Sequence, residues 1–320
     1  MPTEVLKPIN QLTLYGYSNL FHNINNIFQN GANSKSILIS GSKGLGKFTF
    51  AYHLANYLLS KNEEHSYSIN NFKINEENKT YKLMQEGIHP NFFLLKNAKS
   101  EKMIKIDQVR DLITFTSKST YSKGMKIVII DNLEYFNLNA LSALLKIIEE
   151  PPQNTYFFLI NNSESKLLKT IKSRCLEFKV FFSYEKKKEV FNNLMDNYEL
   201  KNNSQQIDNF CSFDTPGNLL KYFLMLSSNN IELDNDNLKL IIFYMDKYSV
   251  DKNPETLSIL SLFIQKFYSD IVLYNGKNSL NNFINYSLII NYLHDLNKFT
   301  LDQKNVFASI KDILVNDYKS

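Results

Sequence analysis

A glycine-rich stretch at residues 41–47 (GSKGLGK) follows a short apolar run and precedes a helical pattern. The run 36–40 (SILIS) is typical of a buried strand, and residues 49–59 have the apolar spacing of an amphipathic helix. Glycines at such a junction let backbone N–H groups converge on phosphate oxygens, and Lys47 can reach β- and γ-phosphates. The stretch predicts a phosphate-binding loop; a glycine turn that binds no nucleotide is the alternative.

The positions around this loop depart from those of a hydrolytic site. A hydroxyl that ligates Mg²⁺ is expected directly after the lysine, but Phe48 stands there, and Thr49 lies one residue and about 100° further around the helix. Asp131 ends the apolar run 126–130 (KIVII), where a metal-orienting carboxylate belongs, although a cap on the following helix is an alternative. Asn132 comes next and cannot act as a general base.

We therefore expect no intrinsic ATPase activity, no required cofactor and at most weak binding of ATP or ADP. The candidate nucleotide-binding residues are Gly41, Gly44, Gly46, Lys47, Thr49 and Asp131.

The first half of the chain alternates compact apolar runs with helical patterns. Runs at 91–95, 126–130, 156–160 and 176–180 join the first one, which predicts a parallel sheet covered on both faces. Polar, Asn-rich residues 61–86 predict an exposed insertion. After about residue 180 only helical patterns follow. We expect an α/β domain at 1–180, a small helical lid at 181–227 and a helical domain at 228–320.

Charge, cysteine content and the lengths of apolar runs limit the partners, metals and compartment that we expect for this chain. The net charge of +4 is a weak preference for anionic partners. Two cysteines, Cys175 and Cys211, are too few for a disulfide scaffold or a four-cysteine zinc module, so reduced thiols and no zinc are expected. We see no apolar run of the roughly 20 residues that span a bilayer and no signal-peptide core in residues 1–10, which predicts a cytoplasmic protein without a membrane partner.

Several longer motifs carry a family resemblance. Residues 140–152 read ALSALLKIIEEPP and residues 169–178 read KTIKSRCLEF, with the run TYFFLI between them. Residues 106–110 (IDQVR) and the pair His89-Pro90 add two further matches. In this order the motifs closely resemble the clamp-loader branch of the AAA+ family, over roughly residues 12–180. The resemblance implies a P-loop AAA+ α/β domain, a helical lid and a helical C-terminal collar through which subunits form a ring.

Within that branch the chain is most similar to delta-prime-type subunits of bacterial DNA polymerase III, which are not motors. This resemblance implies gamma/tau and delta loader subunits as partners, and the sliding clamp and primed DNA through the complex. The lid stretch 214–218 (DTPGN) offers no nucleotide-sensing arginine, unlike a motor subunit. An ATP-hydrolysing subunit of gamma/tau type is the main alternative, and a P-loop enzyme outside replication is a third.

Arg174 is one of only two arginines in the chain. The resemblance implies that this arginine of the SRC motif acts as an arginine finger in trans, at the γ-phosphate held by a neighbouring subunit. A planar guanidinium suits this role better than a lysine does. An internal salt bridge is the alternative for Arg174. For the other arginine, Arg110, we expect a structural pairing on its own helix, and for Cys175 a packed thiol.

Overall fold

The computed structural model describes residues 7–29, 35–97, 103–118, 124–162, 169–200, 209–228, 237–275, 279–298 and 302–319. The chain divides into two compact units. The first comprises Met1–Glu199 and Thr215–Lys221, and the second comprises Leu200–Asp214 and Tyr222–Ser320. The three-part division expected from the sequence stays a prediction.

A parallel sheet forms the centre of the first unit. Among the described residues its strands are β1 (Ser36–Gly41), β2 (Phe92–Leu95), β3 (Lys126–Ile130), β4 (Thr155–Asn162) and β5 (Leu176–Lys179). They lie in the order β2-β3-β4-β1-β5, and every neighbouring pair is parallel. The predicted α/β fold class with a parallel sheet is confirmed, and each predicted apolar run lies on a strand.

Helices cover both faces of this sheet because alternate strand residues point to opposite sides. The helices of the first unit are α1 (Ser18–Gln29), α2 (Lys47–Leu59), α3 (Lys79–Glu86), α4 (Ile106–Ser117), α5 (Leu138–Glu149), α6 (Lys169–Lys172) and α7 (Tyr184–Asn197). Ile37 and Ile39 pack with residues of α1 and α2 on one face. Leu38 between them packs with residues of α4 and α5 on the other. The continuous apolar character of the strands follows from burial on both sides.

The carboxyl ends of the three central strands meet at one edge of the sheet. β1 ends at Gly41, β3 ends directly before Asp131, and β4 ends at Asn162. Ligands of open parallel sheets bind outside the carboxyl ends of the strands. This edge therefore holds the glycine-rich loop and the polar residues that the sequence singled out.

The insertion expected at residues 61–86 is exposed over more than half of its length, but some of its side chains are buried. Tyr67, Ile74 and Met84 are buried in the apolar cluster of α1 and α2. The ring of Tyr67 stacks on Phe21 with centroids 5.5 Å apart, and its hydroxyl lies 3.1 Å from Nδ1 of His53. Residues Lys79–Glu86 form α3. Ahead of this helix, the buried side chains of Tyr67 and Ile74 lie singly in a stretch that forms neither a helix nor a strand.

The second unit is helical in its described residues. After α8 (Pro216–Ser228), which begins in the first unit, it contains α9 (Asn237–Asp251), α10 (Pro254–Asn275), α11 (Ser279–Lys298) and α12 (Gln303–Lys319). Helix α10 packs against α9 and α11, and α12 contacts α9 and α11. The helical C-terminal region expected from the sequence is confirmed.

One stretch qualifies as a membrane span by length and composition, contrary to the expectation from sequence. It is Pro254–Leu273 in α10, and half of it is buried inside the protein. Core helices of soluble proteins pass the same test, so this observation is weak evidence for a membrane span.

Candidate functional site

The glycine-rich loop has the backbone shape that a phosphate loop requires. Gly44 and Gly46 have φ angles of +83° and +84°, in the left-handed region. A residue with a Cβ loses roughly 1–2 kcal/mol in that conformation. Gly46 directly precedes the first residue of α2, Lys47, so the loop leads into the N-terminal end of this helix. The predicted strand–loop–helix geometry is therefore present.

A cavity of about 350 Å³ lies beside the loop. Its described lining includes Gly44, Gly46, Thr49 and Asp131, so the structure brings most of the candidate nucleotide-binding residues together. Gly41 lies at the end of β1. Among the described residues of the lining, one carries a carboxylate, Asp131, and four are lysines: Lys7, Lys43, Lys47 and Lys221. This excess of positive charge favours an anionic ligand.

Lys47 is buried and bonded to its own chain. Its Nζ donates to the carbonyl oxygens of Gly41 and Ser42, each at 2.7 Å, and to Oδ1 of Asn162 at 2.9 Å. An ammonium group has three N–H donors, and these three acceptors match them in number. A phosphate could therefore bind Lys47 only by displacing an existing hydrogen bond.

Asn162 is a site residue that the sequence reasoning missed. Its amide nitrogen donates to Oδ1 of Asn132 at 3.2 Å and to the carboxylate of Glu134, while its oxygen accepts from Lys47. The side chain thus links the phosphate loop to the residues after β3. A polar pair, Asn161-Asn162, at the end of an apolar run was the available signal.

The Asp131 carboxyl group loses its proton at a higher pH than an ordinary carboxyl group does. Burial, with the nearby Glu134 carboxylate adding to it, raises the pKa of Asp131 from 3.8 to about 6. The backbone hydrogen bond from Asn132 and the charge of Lys47 oppose this shift.

Phe48 occupies the position at which a magnesium-ligating hydroxyl is expected. Its ring stacks on Tyr52 with centroids 6.1 Å apart, and the side chain packs against the apolar cluster of α1 and α2. Phe48 has no oxygen atom, so the residue after Lys47 does not fit a magnesium ion of the hydrolytic type.

The start of α8 lies directly on the phosphate loop, within the first unit. The Thr215 hydroxyl donates to the carbonyl oxygen of Lys43 at 2.8 Å, and the Gly217 amide donates to that of Gly44 at 2.9 Å. A Cβ added to Gly217 would lie 2.6 Å from the Gly44 oxygen, and one added to Gly44 would lie 2.1 Å from Oγ1 of Thr215. The sequence analysis considered residues 214–218 only for a nucleotide-sensing arginine and did not predict this contact.

Arg174 lies elsewhere, in the turn between α6 and β5. Its Nη1 donates to the carbonyl oxygen of Thr170 at 3.0 Å, and its Nη2 donates to Oε1 of Glu149 at 3.1 Å. The side chain is 30% exposed. Arg174 is not among the described residues that line the cavity. The structure therefore places it apart from the chain's own phosphate loop.

The other arginine and the adjacent cysteine have structural contacts. Nη1 of Arg110 pairs with Oδ1 of Asp107 on the same helix at 2.7 Å, which confirms the pairing expected for it. Burial, with the Glu177 carboxylate adding to it, raises the pKa of Cys175 to about 12. A thiol in this state is a poor nucleophile. Neither Cys175 nor Cys211 forms a disulfide with a described residue.

A protein-family model described as DNA polymerase III, delta subunit, matches residues 16–181, which is more than half of the chain. The chain belongs to this DNA polymerase III delta-subunit family. The match contains the phosphate loop, Asp131 and the SRC motif. The family resemblance inferred from the sequence motifs is thereby confirmed.

Curated relatives of this delta-family chain carry two kinds of name. This chain is 39% identical over 140 residues to DNA polymerase III subunit delta' of Pseudomonas aeruginosa, and the alignment covers 44% of this chain and 41% of that protein. It is 30% identical over 148 residues to subunit delta' of Escherichia coli, covering 46% and 42%. The subunit gamma of Buchnera aphidicola is 30% identical over 254 residues, covering 74% and 66%. The chain thus spans about two fifths of the length of these delta' relatives.

Among solved structures, a DNA polymerase III gamma subunit-related protein from Thermotoga maritima aligns with this delta-family chain. The alignment covers 92% of this chain and 98% of the Thermotoga chain. The TM-score is 0.48 and the sequence identity is 17%.

Proposed function

We propose that this chain is a delta-prime-type, non-motor subunit of the DNA polymerase III clamp loader. It works with gamma/tau and delta subunits, and meets the sliding clamp and primed DNA through that complex. Its contribution to ATP hydrolysis is Arg174, which it donates in trans to the γ-phosphate in the site of a neighbouring subunit. The cytoplasm is the compartment in which this role is carried out.

The observation that carries the proposal is the state of the chain's own phosphate loop. Lys47 is bonded to Gly41, Ser42 and Asn162, and the next residue is an aromatic ring packed on Tyr52. These contacts stabilise the loop without a ligand and provide no hydroxyl for magnesium. The loop preserves the fold and at most binds ATP or ADP weakly, so the chain is not expected to turn over ATP alone.

Two further features support the role in an assembly. Arg174 is partly exposed, and a guanidinium stays charged at any physiological pH. In the second unit, Leu280, Phe283, Ile284 and Leu288 are exposed at helical spacing on α11. An exposed apolar stripe of this kind suits burial against another loader subunit, as a collar requires.

The test is a loader reconstituted from this chain with its gamma/tau and delta partners, assayed for ATPase activity with clamp and primed DNA. An arginine finger accelerates hydrolysis by about 10³–10⁵ at the site it serves. Arg174→Ala should therefore abolish that site's share of turnover without preventing assembly. Arg110→Ala is the matched control, because Arg110 is the only other arginine and pairs on its own helix. Unchanged ATPase activity in Arg174→Ala loader would refute the assignment.

The gamma-type alternative has one observation in its favour: the longer alignment with the Buchnera gamma subunit. It predicts that the purified chain hydrolyses ATP without partners. Phe48, Asn132 and the bonded Lys47 argue against this outcome. Robust, magnesium-dependent turnover by the isolated chain would replace our proposal with the motor role.

A further inference from the structure

We propose that Glu149 is the positioning residue for Arg174. This inference rests on the proposed function, because it concerns how the finger is held before it meets a phosphate. The ion pair between Nη2 of Arg174 and Oε1 of Glu149 is 3.1 Å long. Glu149 is the last residue of α5, which ends ahead of Pro151-Pro152. A proline pair cannot continue a helix, so the prolines keep the end of α5 at Glu149.

The two terminal nitrogens of the guanidinium are held by different parts of the chain. Nη1 bonds the carbonyl oxygen of Thr170 at 3.0 Å and lies 3.4 Å from Oγ of Ser173, both in the same short segment. Nη2 bonds Glu149, which belongs to a different helix. Loss of Glu149 leaves both remaining contacts on Nη1, and the guanidinium plane is then free to swing about that end. Glu149 is therefore the group that fixes the second terminal nitrogen.

The state of Nε indicates that this pose depends on its anchors. Among the described residues, Nε of Arg174 is buried and has no hydrogen-bond partner. An arginine without anchors would turn this donor to water, because a buried unpaired donor is unfavourable. The contacts to Glu149 and Thr170 therefore hold the side chain in a pose that it would not adopt by itself.

The anchored pose still leaves a donor for phosphate. Nη2 has two N–H groups, and Glu149 accepts one of them. The second can bind an oxygen of a γ-phosphate without displacing the carboxylate. The Glu149 contact thus orients the guanidinium and keeps part of its binding capacity.

The experiment uses the full reconstituted loader with Glu149→Gln and Glu149→Ala. Glu149 and Arg174 are 55% and 30% exposed, and ion pairs at that exposure stabilise weakly, so we expect the stimulated kcat to fall about two- to fivefold. Alanine should lower it more than glutamine, which keeps an oxygen acceptor. The KM for ATP and the assembly of the loader should not change. Glu150→Gln is the matched control, since this exposed neighbour forms no ion pair with any described residue.

A double-mutant comparison separates the inference from the proposed function. If Glu149 acts through Arg174, its substitution has no further effect in an Arg174→Ala loader. Glu149 variants with unchanged or raised kcat, or with an effect that adds to that of Arg174→Ala, would overturn the positioning role and leave the finger intact. An Arg174→Ala loader with full activity would overturn both.

Discussion

The raised pKa of Asp131 predicts a pH-dependent cost to stability that one substitution removes. Asp131 follows β3 at the edge of the sheet, close to Glu134. In the unfolded chain the carboxyl group has its ordinary pKa of 3.8, whereas in the folded protein the pKa is about 6. Asn has the same shape as the neutral carboxyl group and never ionises. Asp131→Asn therefore imitates the protonated form at every pH.

The size of the effect follows from the difference in pKa. Each unit corresponds to about 1.36 kcal/mol, so two units give up to about 3 kcal/mol. Below pH 3.8 both folded and unfolded states carry the proton, and Asp131 costs nothing. As pH rises towards 6 the unfolded chain loses its proton first, and the folded state loses stability relative to it. Above about pH 6 the cost is complete and constant.

Urea unfolding of the two proteins at pH 4, 6 and 8 tests this reasoning. Asp131→Asn should be more stable by up to about 3 kcal/mol at pH 8, with the gain shrinking toward zero at pH 4. Asp111→Asn, at an exposed position on α4, is the control for a general effect of removing a negative charge. A stability gain that does not vary with pH, or that Asp111→Asn reproduces, would refute the assignment of the cost to the burial of Asp131.

Three further outcomes are expected. Gly217→Ala should lower the free energy of unfolding by about 1–3 kcal/mol, because its Cβ would lie 2.6 Å from the Gly44 carbonyl oxygen. Alanine is otherwise the better helix former, so urea unfolding that shows a gain in stability would contradict the contact. Phe48→Thr should make ADP binding depend on magnesium, whereas calorimetry of the natural chain should show weak binding that magnesium does not strengthen. Cys175, with its pKa raised to about 12, should react slowly with iodoacetamide at pH 8 until denaturant is added. Rapid labelling of the folded chain would contradict the burial of this thiol.

The sheet could be predicted from sequence because burial on both faces leaves a continuous apolar run in each strand. The run 126–130 matches β3 in both bounds, and the others differ by one or two residues at their ends. The buried side chains within residues 61–86 could not be predicted, for the opposite reason. Tyr67 is held by Phe21 and His53 from two different helices, and contacts made one residue at a time produce no period in the sequence.

The site was predictable only where its geometry is local. Gly44 and Gly46 are required by the turn itself, so the loop could be recognised from neighbouring residues. Asn162 and Thr215 bond loop atoms from positions more than 100 residues away. Such partners depend on which strand and helix lie beside the loop, and sequence spacing does not contain that information.

Lys47 and Arg174 are both residue types that bind phosphate, but the fold engages them differently. Lys47 directs its three donors to acceptors within its own unit, two of them carbonyls of the loop itself. Nη2 of Arg174 bonds one carboxylate and has a second N–H beyond it. A phosphate arriving at Lys47 must replace a hydrogen bond that stabilises the loop, while one arriving at Arg174 can add a hydrogen bond to those present. The cost of engaging phosphate is therefore lower at Arg174 than at the loop, as expected if the chain completes another subunit's site rather than its own.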